Sequence, residues 1–397
     1  MREASMLEFP VFDADNHYYE AKDAFTRHLE PSMRKRTMQW ATIEGKERLL
    51  VGGAVNRFIP NPTFDPVSKP GALADYFRAK SGVGDMRVAF GELDPIDGRP
   101  EYRDRDARVK LMDAQGLQSV FMLPTLGVGM EASLEHDPPA LLAAFRAFNR
   151  WLDDDWGYNF ADRIYTPPYI SLVSVEWAVD ELEHALDNDA RIVLLRPASV
   201  AGVPHRRTPG DPAHDRFWSR VNEAGVTVVV HGGDSSYAAY EQLWGLKGET
   251  EAFRVPLLKR LLSASPIRDF ISSLFADHLF ERFPNVRLAT IETGSAWVKP
   301  LLRKLRSLSV QLPEEFPVDP IEIFNTHIWV SPFFEDDVVA LIELVGADRV
   351  LFGSDFPHAE GLAEPTAFIK ELDGVPDADV RKVMYGNARG LASRRPA

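Results

Sequence analysis

The chain has 397 residues, with 45 Lys and Arg against 59 Asp and Glu, and its formal net charge is -14. That balance argues against nucleic acid or an anionic membrane as the main partner, because both bind clustered positive charge. The absence of cysteine excludes a disulfide framework, a thiolate nucleophile and thiolate metal ligands, so any metal would have to be held by His and carboxylates.

Nothing in the sequence indicates export or membrane insertion. The N-terminal residues lack the apolar core of a signal peptide, and no run approaches the roughly 18 apolar residues of a membrane span. We therefore expect a cytoplasmic protein whose partner is a small-molecule substrate. A homodimer or related oligomer is the expected assembly, since two-fold dimers are the commonest soluble oligomers.

The first predicted element is a short apolar strand that starts at Phe9 and ends in a polar segment containing Asp13, Asp15 and His17. An extended strand places alternate side chains on one side, so these three groups would converge. Converging carboxylates and an imidazole need a cation or a dense hydrogen-bond network to offset their desolvation. A metal site and a polar turn are the two interpretations.

Residues 21–104 do not follow the pattern of the rest of the chain. A hairpin is predicted around Glu44 and Gly45, and residues 61–71 are Pro-rich and irregular. We interpret this region as an insertion after the first strand. Long ordered insertions at an active-site end act as lids or specificity loops, and a plain packing role is the alternative.

From Asp106 onward, predicted helices and strands alternate. The helices cover residues 107–116, 139–158, 177–186 and 217–224. The strands cover residues 119–124, 169–173, 191–197, 225–231, 286–292 and 328–332, with a last one starting at Val350. Together with the first strand this gives eight, the number in a closed (β/α)8 barrel rather than an open sheet. We therefore expect an α/β fold of the TIM-barrel type, in one domain over residues 1–397, with residues 21–104 inserted over the barrel mouth.

Polar residues end several of these strands: Asp15 and His17 the first, Arg196 the fourth, His231 the fifth, Glu292 the sixth and Asp355 the eighth. Residues just past buried parallel strands line the active-site face of a barrel. Two imidazoles with carboxylates suit a divalent metal such as Zn, Mn or Fe and leave a position open. The alternative is that these groups cap the following helices.

Four further side chains have less certain places in this scheme. Arg196 could pair with a substrate carboxylate bidentately or form a salt bridge to a neighbouring loop. His278 and His327 precede strands, so we expect them at the opposite rim, in structural roles. His358 follows Asp355 by three residues and could serve the metal, the substrate or the loop.

Taken in order, the motifs resemble those of a known family. Asp-x-Asp-x-His near the start, Val-Val-His-Gly-Gly in the middle, Phe-Glu-Arg-Phe-Pro-Asn-Val-Arg-Leu before the sixth strand and Leu-Phe-Gly-Ser-Asp-Phe-Pro-His near the end are similar to the amidohydrolase-related branch. That branch includes decarboxylases of aminocarboxymuconate semialdehyde and of hydroxybenzoates. The resemblance covers nearly all the chain outside residues 21–104. It implies a distorted TIM barrel with one divalent metal, usually Zn or Mn, and ligands at Asp15, His17, His231 and Asp355.

The chain departs from this pattern after the sixth strand, where Glu292-Thr-Gly stands in place of a His-Gly-Gly-like sequence. Glu292 could act as a general base or bind a second metal. In this respect the chain resembles a smaller set of amidohydrolase-like proteins with dinuclear iron or iron–manganese centres for O2-dependent hydroxylation. Glu20, Glu292 and His358 would supply the extra donors that two cations roughly 3.5 to 4 Å apart need.

The function we predict is a metal-dependent hydrolase or decarboxylase that acts on a small, carboxylate-bearing molecule, with Glu292 as the acid/base. One alternative is the dinuclear monooxygenase. Another, without catalysis, is a barrel that keeps a structural metal and serves as a partner subunit. The number and kind of metals per chain would separate the three.

Overall fold

The computed structural model contains two four-stranded, mainly parallel sheets and describes residues 7–78, 80, 82, 85–202, 204–246, 256–262 and 265–394. Residues 1–6, part of the segment without a signal-peptide core, lie outside the described residues. The strands in chain order are β1 Phe12–Tyr18, β2 Met38–Ile43, β3 Lys46–Val51, β4 Ala54–Val55, β5 Val67–Ser68, β6 Leu93–Asp94, β7 Ser119–Pro124, β8 Asn159–Phe160, β9 Ile164–Tyr165, β10 Ile192–Leu195, β11 Thr227–His231, β12 Arg287–Ile291 and β13 Ile328–Val330.

Helices separate most of the strands in the second half of the chain, so the fold is α/β. They are α1 Ala74–Phe77, α2 Met86–Phe90, α3 Arg105–Gln115, α4 Glu131–Leu134, α5 Pro138–Asp155, α6 Val175–Asp187, α7 Asp215–Ala224, α8 Ala238–Leu243, α9 Leu257–Leu261, α10 Pro266–Ala276, α11 Leu279–Arg282, α12 Val298–Gln311, α13 Pro320–His327, α14 Val338–Val345, α15 Asp377–Arg381 and α16 Asn387–Leu391. The four predicted helices correspond to α3, α5, α6 and α7, with small shifts at their ends.

One sheet has the order β1-β7-β9-β8, and the other has the order β10-β11-β12-β13 with every pair parallel. Every residue of β7, β10, β11 and β12 is buried. This explains why these strands read as unbroken apolar runs rather than as alternation. Isolated parallel bridges continue the pairing between the sheets: Tyr169 with Leu194, Val330 with Val350 and Asn16 with Phe356.

Two predicted strands, at residues 169–173 and from Val350, are wrong as regular strands, because only these bridges represent them. Pro167 and Pro168 precede the first and cannot donate to a ladder. In the second, the amide of Phe352 bonds the carbonyl of Val383, which diverts it from strand pairing. The two segments are the buried apolar runs that the sequence predicts, but some of their backbone hydrogen bonds are made outside a strand ladder.

Helix ends follow local sequence signals. Asp104 caps α3 by accepting from the amide of Ala107, and Gly116 ends that helix in the left-handed conformation, with φ 73°. Ser174 caps α6 by accepting from the amide of Trp177. Asp104 and Ser174 thus fix where the two helices begin, and Gly116 fixes where α3 ends and the chain returns to the sheet.

The predicted hairpin at residues 44–45 is present. β2 and β3 pair antiparallel up to Ile43 and Lys46, and Glu44 and Gly45 have φ of 53° and 73°. Two positive φ values in a two-residue loop are typical of the turn whose twist matches the strands. Within residues 21–104, positions 79, 81, 83 and 84 lie outside the described residues.

Within the part of the chain that the structure describes, no helix combines the length and the apolar character needed to cross a bilayer.

Candidate metal centre

Four side chains meet at the ends of β1 and β11 and just after β12. Asp15, His17, His231 and Glu292 each offer one ligand atom, and these atoms all lie within 4.8 Å of one another. His17 Nε2 lies 3.1 Å from Asp15 Oδ1 and 3.4 Å from Glu292 Oε2. His231 Nε2 lies 3.0 Å from Glu292 Oε2 and 3.7 Å from Asp15 Oδ1. The geometry is therefore that of four donors around one point.

The close approach of the strand ends depends on glycine. A Cβ added to Gly232, directly after His231, would lie 2.3 Å from the carbonyl oxygen of Glu292. A Cβ on Gly353 would lie 2.6 Å from Cβ of Asp15. Any side chain at these two positions would push apart the strand ends that carry the donors.

Asp355 belongs to a second group that shares two members with the first. His17, Glu292, Asp355 and His358 also bring one ligand atom each within 4.8 Å. Asp355 Oδ1 lies 3.4 Å from His17 Nε2, and the Asp355 amide donates to the carbonyl of Asp15 at 2.8 Å. The structure therefore places three of the predicted ligands, Asp15, His17 and His231, in the first group and Asp355 in the second, and the two groups share His17 and Glu292.

Glu292 and Asp355 both have left-handed backbone conformations, with φ of 51° and 57°. Such conformations cost non-glycine residues on the order of 1 kcal/mol or more. Each residue directly follows the buried segment that leads to the site. The conformation turns the chain there while the carboxylate stays directed at the histidines.

The imidazole of His358 is held from both sides. Its Nδ1 lies 2.5 Å from Asp355 Oδ1, and its Nε2 lies 3.0 Å from Thr125 Oγ1. The single hydroxyl proton of Thr125 is donated to the carbonyl of Tyr18 at 2.8 Å, so Thr125 must accept from His358 Nε2–H. One further proton must then lie between His358 and Asp355.

The ring of His231 is also oriented by its neighbours. Its Nδ1–H donates to the carbonyl of Gly232 at 2.6 Å, which directs Nε2 into the site. Burial alone would lower the pKa of His231, but the carboxylates of Glu292 and Asp15 outweigh it, so the pKa lies well above its usual value. Burial would raise the pKa of Glu292, but His231 and His17 lower it well below its usual value.

The pKa of Asp355 shifts in the opposite direction from that of Glu292. Burial, and then the negative charge of Glu292, raise the pKa of Asp355 well above its usual value. Several carboxylates and two imidazoles are thus confined together in a buried pocket. A divalent cation would compensate the charge of the carboxylates, since ligand groups must be deprotonated to bind it.

The donors fit a divalent metal on chemical grounds. His231 Nε2 is buried without a hydrogen-bond partner in the described part of the chain, although it is directed at the carboxylates. Two imidazole nitrogens with two or three carboxylate oxygens are the ligand types of Zn, Mn and Fe. Buried polar atoms normally have partners, and a cation bound between this nitrogen and Glu292 Oε2, 3.0 Å away, would satisfy both.

Glu20, expected as a possible second-metal ligand or acid/base, is not brought into either group. Its Oε1 accepts from the amides of Leu126 and Gly127 at 2.9 and 2.8 Å, and its Oε2 accepts from Leu126 at 2.9 Å. The residue is buried and fixes the loop that follows β7. Its carboxylate is committed to backbone amides rather than to a cation.

Arg196 adopts the second of its two expected roles. Its Nη2 lies 2.8 Å from Glu135 Oε2, and its Nε lies 3.4 Å from Glu131 Oε2. Glu131 also accepts from Tyr169 and Ser171, at 2.8 and 2.6 Å. Arg196 is therefore part of an ion network with Glu131 and Glu135.

The remaining histidines lie apart from the donors. His327, the last residue of α13, is buried, and its Nδ1 lies 2.7 Å from the carbonyl of Val286 at the opposite end of β12. His278 is partly exposed beside Glu281 and Glu315, at 3.6 and 3.4 Å. Both have the structural positions expected for them.

Asp13 was predicted to lie on the same side as Asp15 and His17, but it turns away. Its carboxylate accepts from the amide of Asp15, the side chain of Asn16, and the amide and hydroxyl of Ser354. Burial raises its pKa to about 7, against the effect of these bonds. The turn arises because β1 shifts register against β7 between Asp13 and Asn16.

Sequence reasoning assigned no role to Ser354, Thr125 or Arg108. Thr125 directly follows β7, so the rule applied to the other strand ends could have found it. Ser354 stands within the motif before Asp355 and had a similar signal. Arg108 lies within an amphipathic helix, where arginine is usually exposed, and had none.

The comparisons with known proteins agree on one family. The amidohydrolase family model (Amidohydro_2) matches residues 12–391. A crystal structure of an amidohydrolase from Mycobacterium avium subsp. paratuberculosis K-10 is 41% identical, with a TM-score of 0.93, and the match covers 98% of this chain and 100% of that one.

Two named decarboxylases are more distant. Gamma-resorcylate decarboxylase of Rhizobium sp. (strain MTP-10005) is 26% identical over 300 residues, which cover 72% of this chain and 86% of the relative. A dihydroxybenzoic acid decarboxylase from Polaromonas sp. JS666, crystallised with manganese and 2-nitroresorcinol, is 18% identical with a TM-score of 0.57. That match covers 81% of this chain and 93% of the other, and it shows a similar fold.

Proposed function

The chain belongs to the amidohydrolase family, and from this premise we propose that it is a metal-dependent decarboxylase that acts on a small, carboxylate-bearing molecule. One observation carries the proposal: donor atoms of Asp15, His17, His231 and Glu292 lie within 4.8 Å of one another at buried strand ends. A buried group of this charge and composition is suited to a cation and to little else.

The proposed ligands are Asp15, His17, His231 and Asp355, with Glu292 as the proton-transfer group. The family resemblance supports this division, since by geometry alone Glu292 Oε2 lies as close to His17 Nε2 as Asp355 Oδ1 does, at 3.4 Å. A divalent cation held by these residues would supply Lewis-acid stabilisation of the negative charge that develops on a substrate oxygen.

Glu292 is the donor most accessible to a substrate. Its side chain is 29% exposed, whereas that of His231 is 1% exposed. Its Oε2 faces both imidazoles of the site, so in this proposal it takes a proton from a substrate hydroxyl. When the bond to the leaving carboxylate breaks, the electron pair remains on the substrate carbon. Glu292 returns the proton to that carbon as carbon dioxide leaves.

We further propose that the two sheets form one distorted (β/α)8 barrel. The isolated bridges at both edges of the sheets support this, because they lie where a closed barrel would continue its pairing. The structural relatives of the family support it as well. The donors would then lie at the carboxyl ends of the strands, where active sites of such barrels are found.

Residues 21–104 are proposed to be an insertion over the mouth of that barrel, within a single domain. The amides of Gly71 and Leu73 donate to the carbonyls of His358 and Ala359, at 3.0 and 2.7 Å. These carbonyls lie three and four residues after Asp355 in the chain. The insertion therefore contacts the loop that presents a proposed ligand, as a lid would.

The names of the relatives guide the choice of substrate and metal. The Rhizobium and Polaromonas proteins are decarboxylases of dihydroxylated benzoic acids, and the latter was crystallised with manganese. Hydroxybenzoates and manganese are therefore the first substrate class and metal to test. The relatives described above give no support to the dinuclear oxygenase, whose second cation would depend on the group that contains His17, Glu292, Asp355 and His358.

The test is metal analysis of protein purified without chelator, followed by assays of carbon dioxide release from a panel of hydroxybenzoates. We expect one divalent metal per chain and release that stops on chelation and returns with manganese. Two irons per chain with oxygen consumption would favour the oxygenase instead. A tightly held metal without turnover on carboxylates, esters or amides would contradict an enzymatic role.

A further inference from the structure

Arg108 is a buried cation beneath the proposed metal centre. It lies on α3, and its side chain is completely buried. Its guanidinium donates to three uncharged oxygens: the Glu101 carbonyl at 2.7 Å, Asn16 Oδ1 at 2.6 Å and the His17 carbonyl at 2.6 Å. Burial lowers its pKa to about 10, so it is still charged at neutral pH. Burying a charge without an ionic partner is costly, which suggests a specific role for it.

The segment that Arg108 binds is irregular. β1 pairs Asp13 with Val120 but Asn16 with Met122, so three steps along β1 correspond to two along β7. This is the arrangement of a β-bulge, which redirects side chains and weakens the local ladder. Here the bulge separates Asp13 from Asp15 and His17, whose donor atoms reach the site.

Arg108 compensates for the weakened ladder at this point. Two of its nitrogens bind Asn16 and His17, which flank the bulge on its downstream side. The side chain of Asn16 also donates to the Asp13 carboxylate at 2.9 Å. That carboxylate in turn accepts from the amide of Ser354, in the segment that carries Asp355. One chain of hydrogen bonds therefore links α3 to the two segments that supply the proposed carboxylate ligands, Asp15 and Asp355.

We propose that Arg108 is a positioning residue for the metal centre: it holds the bulged end of β1 so that Asp15 and His17 converge with the donors of the other strands. This inference rests on the proposed function, since it takes that centre to bind a cation. The planar fork of arginine suits the role because it can reach Asn16 and the His17 carbonyl together, whereas the single ammonium of lysine cannot match that geometry.

The experiment measures manganese affinity by calorimetric titration of the full chain and of the variants Arg108→Met and Arg108→Lys. We expect both to bind about 10- to 100-fold more weakly than the wild type, the usual effect of removing a group that orients ligands. Arg108→Lys keeps the charge and much of the volume, so it gives an answer even if the Met variant fails to fold.

Arg287→Met is the matched control. Arg287 is also buried and donates to backbone carbonyls, those of Gly390, Gly225 and Ser393, but it starts β12 at the end remote from Glu292. This variant should lose stability while its manganese affinity stays within about twofold of wild type, a small change by the measure of ligand-orienting residues. An equal loss of affinity in Arg287→Met would show a global effect and overturn the inference.

The two levels of the proposal fail in different ways. If the wild-type chain binds no divalent metal, the proposed centre is wrong, and the inference about Arg108 is wrong with it. If the wild type binds manganese and Arg108→Lys binds it equally well, the centre stands and only the positioning role is refuted.

Discussion

His358 Nδ1 lies 2.5 Å from Asp355 Oδ1, so the orientation of this proposed metal ligand is tied to a ring that Thr125 holds from the other side. Thr125→Val keeps the shape of the side chain and removes the hydroxyl. The His358 ring then loses its acceptor, and Asp355 loses a fixed partner. We expect manganese affinity to fall about tenfold, the effect of losing an outer hydrogen bond at a metal site.

Thr125→Ser serves as the control for this prediction, because serine retains the hydroxyl and should keep the wild-type affinity. Titration calorimetry of both variants measures the difference. Equal affinity in Thr125→Val and the wild type would mean that the His358 ring keeps its orientation without this bond.

The two proposed nitrogen ligands give a more direct prediction. His17→Ala or His231→Ala should abolish retention of metal through desalting, because too few protein donors then remain to compete with water. Elemental analysis measures this. His327→Ala is the control, since that buried imidazole bonds a backbone carbonyl at the other end of β12 and should leave metal content unchanged. Normal metal content in both ligand variants would contradict the assignment of the site.

Glu292→Gln separates proton transfer from ligation. If Glu292 is the acid/base beside a single metal, the variant should keep one metal per chain and slow the chemical step by about 10² to 10⁴, the usual contribution of positioned proton transfer. We expect this result, since four other donors complete the site. Metal analysis and single-turnover kinetics give the two readouts. Two metals in the wild type and one in the variant would instead support a second cation.

Arg196→Met tests whether that residue stabilises the fold or binds the substrate. Removing the guanidinium leaves Glu131, whose side chain is 7% exposed, without its cation. Breaking a buried ion pair in this way costs about 3 kcal/mol of unfolding free energy. Denaturant titration should show this loss, while KM for the substrate stays unchanged. A raised KM with normal stability would support the substrate-binding role.

The same network predicts how stability depends on pH. Burial would raise the pKa of Glu135, but Arg206 and Arg196 lower it below its ordinary 4.5. The stabilisation from this carboxylate is therefore complete above that value and is lost as the pH falls through the lowered pKa. Arg196→Met should show a smaller acid-side loss than the wild type. An identical acid profile for both would argue against the pairing.

The sequence predicted where the polar residues at the strand ends lie better than it predicted the backbone around them. Apolar runs ending in polar residues identified His231, Glu292 and Asp355, because burial and the strand-end rule act locally. The bulge in β1 was not predictable, since it depends on pairing with β7 and on Arg108, which lies far along the chain. Asp13 was misplaced for this reason.

Glu20 and Arg196 show a second limit of sequence reasoning. Both are charged residues near strand ends, and both have hydrogen-bond or ion-pair partners within the protein. Glu20 accepts from backbone amides, and Arg196 pairs with carboxylates. The sequence reveals which groups are charged but not which partners reach them first. Those partners, Gly127 and Glu135, lie in loops without a recognisable motif.

The left-handed backbone at Glu292 and Asp355 predicts which residues selection for thermostability would favour at these two positions. Glycine adopts this conformation without the steric cost borne by other residues, so both positions are less stable than they would be with glycine. Retaining a carboxylate at each is a compromise between thermostability and chemistry. A library selected only for heat resistance should therefore accumulate glycine or asparagine there. Clones changed at Asp355 should lose metal before they lose their fold, whereas clones changed at Glu292 should keep the metal and lose turnover.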